Sequence, residues 1–174
     1  MNYANIKFND IANGIGVRTS LFVSGCRNCC EDCFNKETWN FNYGKPFTKE
    51  VEDELIKMLE PDYIKGLTLL GGEPMEPQNQ ASLLPFLKRV REVYGNKKNI
   101  WCYTGYVLDR DLLGESRAKC EHTAELLQNI DVLVDGPFIE DLKNLSLKFR
   151  GSSNQRIINL PETLKTNDIV LQMA

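Results

Sequence analysis

The chain has 174 residues, of which 42% are hydrophobic, and its 21 Lys and Arg against 24 Asp and Glu give a formal net charge of −3. This length and composition are typical of one globular domain, residues 1–174. The charge balance lacks the basic excess of nucleic-acid-binding surfaces. No apolar run approaches the roughly 20 residues that span a bilayer, and the N-terminus does not resemble a signal peptide. We therefore expect a cytoplasmic protein that binds neither nucleic acid nor membrane.

Strands and helices are predicted to alternate along the chain. The predicted strands are residues 17–23, 67–70, 100–103 and 132–134, with short late strands at 157–160 and 169–173. The first helix is expected between Thr48, a suitable N-cap, and Pro61, which ends it. Two more helices are predicted near residues 83–94 and 118–128 from their apolar spacing.

The ends of three predicted strands recur at a regular distance. Gly71, Thr104 and Asp135 follow one another at intervals of about 30 residues, the length of a βα unit in a parallel sheet. A closed eightfold barrel needs about 250 residues, so this chain has room for about five to six units. The sequence therefore predicts an α/β fold: an open, partial (βα) barrel with a parallel sheet.

Unusual segments follow directly after these strands. They are the cysteine segment after residue 23, Gly71-Gly72-Glu73, Thr104-Gly105 and Asp135-Gly136. In parallel α/β folds the functional site lies at the carboxyl ends of the strands. We therefore expect these four segments to converge at one edge of the sheet.

Four of the six cysteines, Cys26, Cys29, Cys30 and Cys33, fall within eight residues. In a reducing compartment such a group indicates a metal or reactive site more than disulfides. The segment contains either C-x3-C-x2-C, without Cys29, or two adjoining C-x2-C pairs. The first spacing fits a [4Fe–4S] cluster with three thiolate ligands and one open iron. The second fits a structural zinc or a four-ligand cluster, although adjacent cysteines point in divergent directions.

The segment Gly71-Gly72-Glu73-Pro74 is the second chemical signal. Glycines allow a ligand to approach the backbone closely, and Glu73 can accept a charge-assisted hydrogen bond from an amino group. By itself the segment also fits an ordinary strand-to-helix turn. Its position after C-x3-C-x2-C makes the combination specific.

With these motifs the sequence resembles the radical S-adenosylmethionine (SAM) superfamily. More narrowly, it is similar to the family of activating proteins of anaerobic ribonucleoside-triphosphate reductase, which generate glycyl radicals. The similarity covers nearly the whole chain. It is carried by residues 14–18, 22–26, 33–39, 71–74, 104–106, 132–138 and 141–143 and by the segment RGSSNQ at 150–155.

The resemblance implies roles for individual residues. Cys26, Cys30 and Cys33 would hold the [4Fe–4S] cluster. The SAM contacts would be Asp32, Cys33 and Phe34 at the adenine, Gly71, Gly72 and Glu73 at the methionine end, and Thr104 and Asp135 near the ribose or sulfonium. No catalytic side chain would be needed beyond the cluster and SAM.

The chain also departs from the pattern of these families. Asp32 stands where many superfamily members have an aromatic residue, and Pro137 stands where glycyl-radical activators often have a lysine. Cys29 is interpreted as a non-ligand, and Cys102 and Cys120 as packing residues.

The resemblance implies an enzyme that cleaves SAM reductively and abstracts hydrogen from a glycine of the reductase. It would need a low-potential electron donor such as flavodoxin or ferredoxin. Three alternatives stay open: an activating enzyme of another glycyl-radical enzyme, a radical SAM enzyme with a small-molecule substrate, and a non-catalytic zinc or iron–sulfur binding module.

Overall fold

The structure, a computed structural model, describes residues 1–174 and contains one eight-stranded sheet. The strands are β1 (Asn2–Asp10), β2 (Val17–Val23), β3 (Lys45–Pro46), β4 (Ile64–Gly71), β5 (Asn99–Tyr103), β6 (Val132–Asp135), β7 (Arg156–Asn159) and β8 (Leu171–Met173). Their order across the sheet is β3-β1-β2-β4-β5-β6-β7-β8.

The predicted open (βα) barrel with a parallel sheet is wrong, because the sheet is mixed. Only its centre, β2-β4-β5-β6, is parallel. On one side β1 runs antiparallel to both β2 and β3, and on the other β7 runs antiparallel to both β6 and β8. The βα rhythm of the sequence therefore describes the middle of the sheet and not its edges.

The antiparallel pairing at each edge of the sheet has a physical reason that the spacing of the predicted strands did not show. Strand β1 is exposed or half-exposed over most of its length, so it lacks the hydrophobic alternation that predicts a strand. Between β6 and β7 the chain forms no α-helix. A parallel return requires a crossover of a dozen or more residues, usually a helix, whereas an antiparallel return does not.

Four α-helices connect or follow the strands: α1 (Lys49–Met58), α2 (Pro77–Tyr94), α3 (Thr123–Gln128) and α4 (Leu160–Thr166). The predicted cap of α1 is confirmed, since the Thr48 hydroxyl accepts a hydrogen bond from the backbone N–H of Val51. Helix α2 begins at Pro77, well before the predicted start, and α3 is shorter than predicted. None of these helices combines the length and the apolar character needed to cross a bilayer.

The two faces of the sheet are packed differently. The helices cover one face and enclose a core cluster of 25 buried residues, which includes Cys102, as predicted for a packing residue. The other face carries a cluster of four, Trp101, Val132, Val134 and Ile157, to which no helix contributes. The four segments that the sequence analysis identified lie at the carboxyl ends of the parallel strands, at one edge of the sheet.

Candidate functional site

A cavity of about 320 Å³ lies at the carboxyl ends of the parallel strands. Segments from five separate parts of the chain meet there: the four that the sequence predicted, and residues 150–155. The lining residues are Phe34, Leu70, Gly71, Gly72, Tyr103, Thr104, Gly105, Gly136, Phe138, Arg150, Gly151 and Gln155. Four residues of the predicted SAM site line this cavity: Phe34, Gly71, Gly72 and Thr104.

The cysteine loop, residues 24–35, begins where β2 ends. Gly25 has a φ of +103°, which favours glycine, and turns the chain out of the sheet. The backbone N–H of Gly25 donates to the carbonyl of Thr38 (2.7 Å), and that of Cys26 donates to the carbonyl of Trp39 (3.3 Å). The first part of the loop is therefore fixed by backbone hydrogen bonds to the short helix Lys36–Trp39.

The four thiols of this loop differ in environment. Cys26, Cys30 and Cys33 are partly buried, whereas Cys29 is exposed and has a left-handed backbone with a φ of +46°. Burial raises the pKa of the Cys26 thiol to about 12 and also raises that of Cys30. Because a thiol binds metal as the thiolate, a metal at these positions must displace the protons.

No group of three or more His, Cys, Asp and Glu side chains converges closely enough to chelate a single metal ion. A [4Fe–4S] cluster does not need that convergence, since each thiolate binds a different iron of the cluster. The donor set, three partly buried thiols on one short loop, fits a cluster of this kind.

Sequence reasoning missed the side chains that fasten the cysteine loop to α2. The carboxylate of Glu76 accepts hydrogen bonds from the backbone N–H (2.8 Å) and the guanidinium (2.7 Å) of Arg27. The amide of Asn79 donates to the carbonyls of Ser24 (3.0 Å) and Glu73 (2.9 Å). The sequence pattern did not point to them, because the apolar spacing placed the start of this helix near residue 83, beyond Glu76 and Asn79.

Glu73 lies beneath the cavity and is 1% exposed. Its Oε1 accepts from the Thr104 hydroxyl (2.7 Å) and the Met75 N–H (2.9 Å). Its Oε2 accepts from the Gly105 N–H (2.8 Å) and the Asn28 amide (3.1 Å). Burial raises the pKa of Glu73 to about 7, although the hydrogen bonds oppose that rise. The carboxylate thus joins the loops that follow β2, β4 and β5.

Asn28 and Arg117 continue this network to the surface, and neither was singled out in the sequence. The Asn28 carbonyl oxygen accepts from the guanidinium of Arg117 (3.0 Å). The same guanidinium donates to the Tyr106 hydroxyl (2.9 Å). The cysteine loop is therefore linked by side chains to the segments that follow β5.

Asp135, predicted to lie near the ribose or sulfonium, has its carboxylate occupied by the protein. It accepts from the guanidinium of Arg156 (2.6 and 3.0 Å) and from the backbone N–H of Leu108 (2.8 Å). Asp135 does not line the cavity, although the next residue, Gly136, does. A contact between Asp135 and SAM stays a prediction.

Of the three predicted adenine contacts, only Phe34 lines the cavity. Asp32 is exposed, Cys33 is partly buried, and Phe34 is 83% exposed. The Phe34 ring lies 5.5 Å from the Phe138 ring, measured between centroids. Phe34 therefore supplies an aromatic surface close to the position where Asp32 replaces the usual aromatic residue.

Comparisons with known proteins agree with this site. Residues 12–158 match the model of the 4Fe-4S single cluster domain family. The chain is 47% identical to the anaerobic ribonucleoside-triphosphate reductase-activating protein of Escherichia coli strain K12, over 92% of this chain and 99% of that protein. It is 43% identical to the protein of the same name from Pasteurella multocida, over 90% and 96%.

A more distant relative has the same name. The anaerobic ribonucleoside-triphosphate reductase-activating protein of Enterobacteria phage T4 is 39% identical, over 90% of this chain and 93% of that protein. The family resemblance predicted from the motifs is therefore confirmed. The chain belongs to the family of anaerobic ribonucleoside-triphosphate reductase-activating proteins and contains a 4Fe-4S single cluster domain.

Proposed function

We propose that this protein activates anaerobic ribonucleoside-triphosphate reductase by forming a glycyl radical on it, with a [4Fe–4S] cluster and SAM as cofactors. The observation that carries the proposal is the 47% identity to the Escherichia coli activating protein over nearly the full length of both chains. The cysteine loop beside a cavity at the strand ends supports it, because it brings candidate cluster ligands next to room for a small molecule.

The proposed cluster ligands are Cys26, Cys30 and Cys33, which leaves one iron open. Their partial burial supports this choice. Cys29 is exposed, which argues against it as a ligand. Held by these three thiolates, the cluster would supply one electron for the reductive cleavage of SAM, and this radical chemistry would remove a Cα hydrogen from a glycine of the reductase. The part of this chain is to position the cofactors and exclude water from them.

We place SAM in the cavity at the strand ends. The glycines there support this placement, because Gly71, Gly72 and Gly105 line the cavity and let a ligand approach their backbone closely. Gly71 and Gly72 would meet the methionine end, and Thr104 the ribose or sulfonium. Asp32, Cys33 and Phe34 would contact the adenine through the backbone. Glu73 and Asp135, which are buried and do not line the cavity, would support this site from behind its wall.

The electron donor in this proposal is a low-potential protein such as flavodoxin or ferredoxin. Cys29 and Glu31 are exposed on the cysteine loop. A donor protein can therefore approach the cysteine loop from solvent without displacing another part of the chain.

The test is radical formation under anaerobic conditions. Reconstituted, reduced protein is mixed with SAM and the reductase, and the glycyl radical is followed by EPR. We expect slow, uncoupled SAM cleavage by the protein alone and faster cleavage coupled to the radical when the reductase is present. The matched control pair is Cys30→Ser, which should abolish the radical, and Cys29→Ser, which should preserve it. SAM cleavage that ignores the reductase, with no radical, would favour a small-molecule radical SAM enzyme.

A further inference from the structure

Glu73 is held by the protein more completely than a ligand-binding carboxylate needs to be. We propose that Glu73 is a positioning residue, which fixes the cysteine loop to the loop after β5 through Asn28 and does not itself contact SAM. This inference rests on the proposed function only for the identity of the small molecule.

The acceptor capacity of the carboxylate supports the first step. Two carboxylate oxygens offer about four lone-pair sites, and four protein donors already occupy them, at 2.7 to 3.1 Å. The side chain is 1% exposed. An ammonium group could bind Glu73 only by displacing one of these donors, and the displaced donor would lose its partner in a buried space, which is unfavourable.

Three of the four donors have little freedom to leave. The N–H groups of Met75 and Gly105 are backbone groups, and the Thr104 hydroxyl is buried and also accepts from the Tyr106 N–H (3.1 Å). Asn28 makes the longest bond of the four and is the only donor on the cysteine loop. The Glu73–Asn28 contact is therefore the specific link between Glu73 and the cysteine loop.

The surroundings of Asn28 are built to hold this link. Asn28 stands between Cys26 and Cys30, donates to Glu73 through its nitrogen and accepts from Arg117 through its oxygen. A Cβ at Gly105 would lie 2.9 Å from the Asn28 nitrogen. The Asn28 amide thus fits between Glu73, Gly105 and Arg117 in one orientation. Through it, Glu73 fixes the part of the loop that carries Cys26 and Cys30.

The experiment compares variants at both ends of the link in the reconstituted, anaerobic protein. SAM affinity is measured by equilibrium binding and by the change that SAM produces in the EPR spectrum of the reduced cluster, at matched iron content. We expect Glu73→Gln and Asn28→Ala each to weaken SAM binding by about tenfold, about 1.4 kcal/mol. The double variant should be no weaker than Glu73→Gln alone, because both changes break the same link.

Asn28→Asp separates this link from the Arg117 contact. It keeps an oxygen for Arg117 but replaces the donor to Glu73 by a second acidic group, so it should weaken SAM binding more than Asn28→Ala does. Asn96→Ala, an exposed residue at the other end of β5, is the control and should leave SAM affinity and the EPR spectrum unchanged.

Direct contact between Glu73 and SAM gives the opposite pattern. Asn28→Ala would then leave SAM affinity unchanged or raise it, or its effect would multiply with that of Glu73→Gln, and either result overturns the inference. If Glu73→Gln fails to retain the cluster, the two Asn28 variants decide, because unchanged affinity in both also overturns it. Failure of the proposed function is distinct, since the unmodified protein would then bind no SAM or form no radical.

Discussion

Strands β4 and β6 end at the same edge of the sheet. Glu73 lies two residues after the end of β4, and Asp135 is the last residue of β6. Both carboxylate side chains are buried, with 1% exposure. The two carboxylates have opposite kinds of partners. Glu73 accepts hydrogen bonds from neutral groups only, and one of them lies on the cysteine loop. Asp135 forms an ion pair with Arg156, and its carboxylate accepts no hydrogen bond from the cysteine loop.

The difference shows that a position at a strand end makes a residue a candidate for the site. Its hydrogen-bond and ion-pair partners then decide its role. Without a cation, burial dominates at Glu73 and raises its pKa to about 7. At Asp135 the guanidinium compensates the charge, and the hydrogen bond between them raises the pKa of Arg156. We infer that the Glu73 carboxylate serves the proposed cofactor site, and that the Asp135 carboxylate stabilises the fold beside it.

The largest expected effect concerns the cysteine loop that packs on the β4 side. Cys26→Ser, Cys30→Ser or Cys33→Ser should each lose or cripple the cluster, because each removes one thiolate from a set of three. Cys29→Ser should keep about four irons and four sulfides, the content of one [4Fe–4S] cluster. Iron and sulfide analysis after anaerobic reconstitution measures this. Loss of the cluster in Cys29→Ser, with retention in one of the others, would contradict the three-ligand assignment.

A matched pair of glycines compares the two strand ends directly. Gly71 has a φ of +110°, and a Cβ added there would lie 2.6 Å from backbone atoms of Val23. Gly136 has a φ of +99°, and a Cβ added there would have no neighbour closer than 3.7 Å. Gly71→Ala should lower the free energy of unfolding by about 3 kcal/mol, from backbone strain together with overlap. Gly136→Ala should lower it by about 1 kcal/mol, from strain alone. Equal losses in urea denaturation would show that the β4 end is no more tightly packed.

Asp135→Asn tests whether the β6 carboxylate is structural. It should lower the free energy of unfolding by about 2 kcal/mol, since Arg156 loses a charged hydrogen-bond partner, and it should leave SAM affinity nearly unchanged. The control is Asp109→Asn, which removes a 59% exposed partner of the same guanidinium and should cost about 0–1 kcal/mol. A loss of SAM affinity with unchanged stability would instead place Asp135 in the SAM site.

The smallest expected effect is a pH dependence at the β4 carboxylate. Burial raises the pKa of Glu73 from 4.5 to about 7, so between these values the folded protein holds a proton that the unfolded chain has released. The free energy of unfolding therefore falls as the pH rises through this range and levels off above it. From pH 6 to pH 8 this contributes a loss of about 1 kcal/mol. Urea denaturation at both values should show the loss in the parent protein and not in Glu73→Gln.

The sequence determined which segments meet at the site, because chemical motifs and strand ends are local. C-x3-C-x2-C, Gly71-Gly72 and Thr104-Gly105 each follow a parallel strand, and parallel strands end at the same edge. The Thr48 cap and the family were also predicted correctly. The bounds of α2 and α3 were not, since tertiary context overrides local helix preference.

Tertiary structure alone decided the mixed sheet and the partners of the buried polar groups. Strand β1 pairs through its backbone, which its partly exposed side chains do not reveal, and β7 is antiparallel because no helix precedes it. Asn28 and Glu73 are 45 residues apart, and Asp135 and Arg156 are 21 apart. Hydrogen bonds over such separations leave no periodic trace in a sequence, and they fix which carboxylate joins the cysteine loop and which one is neutralised by an arginine.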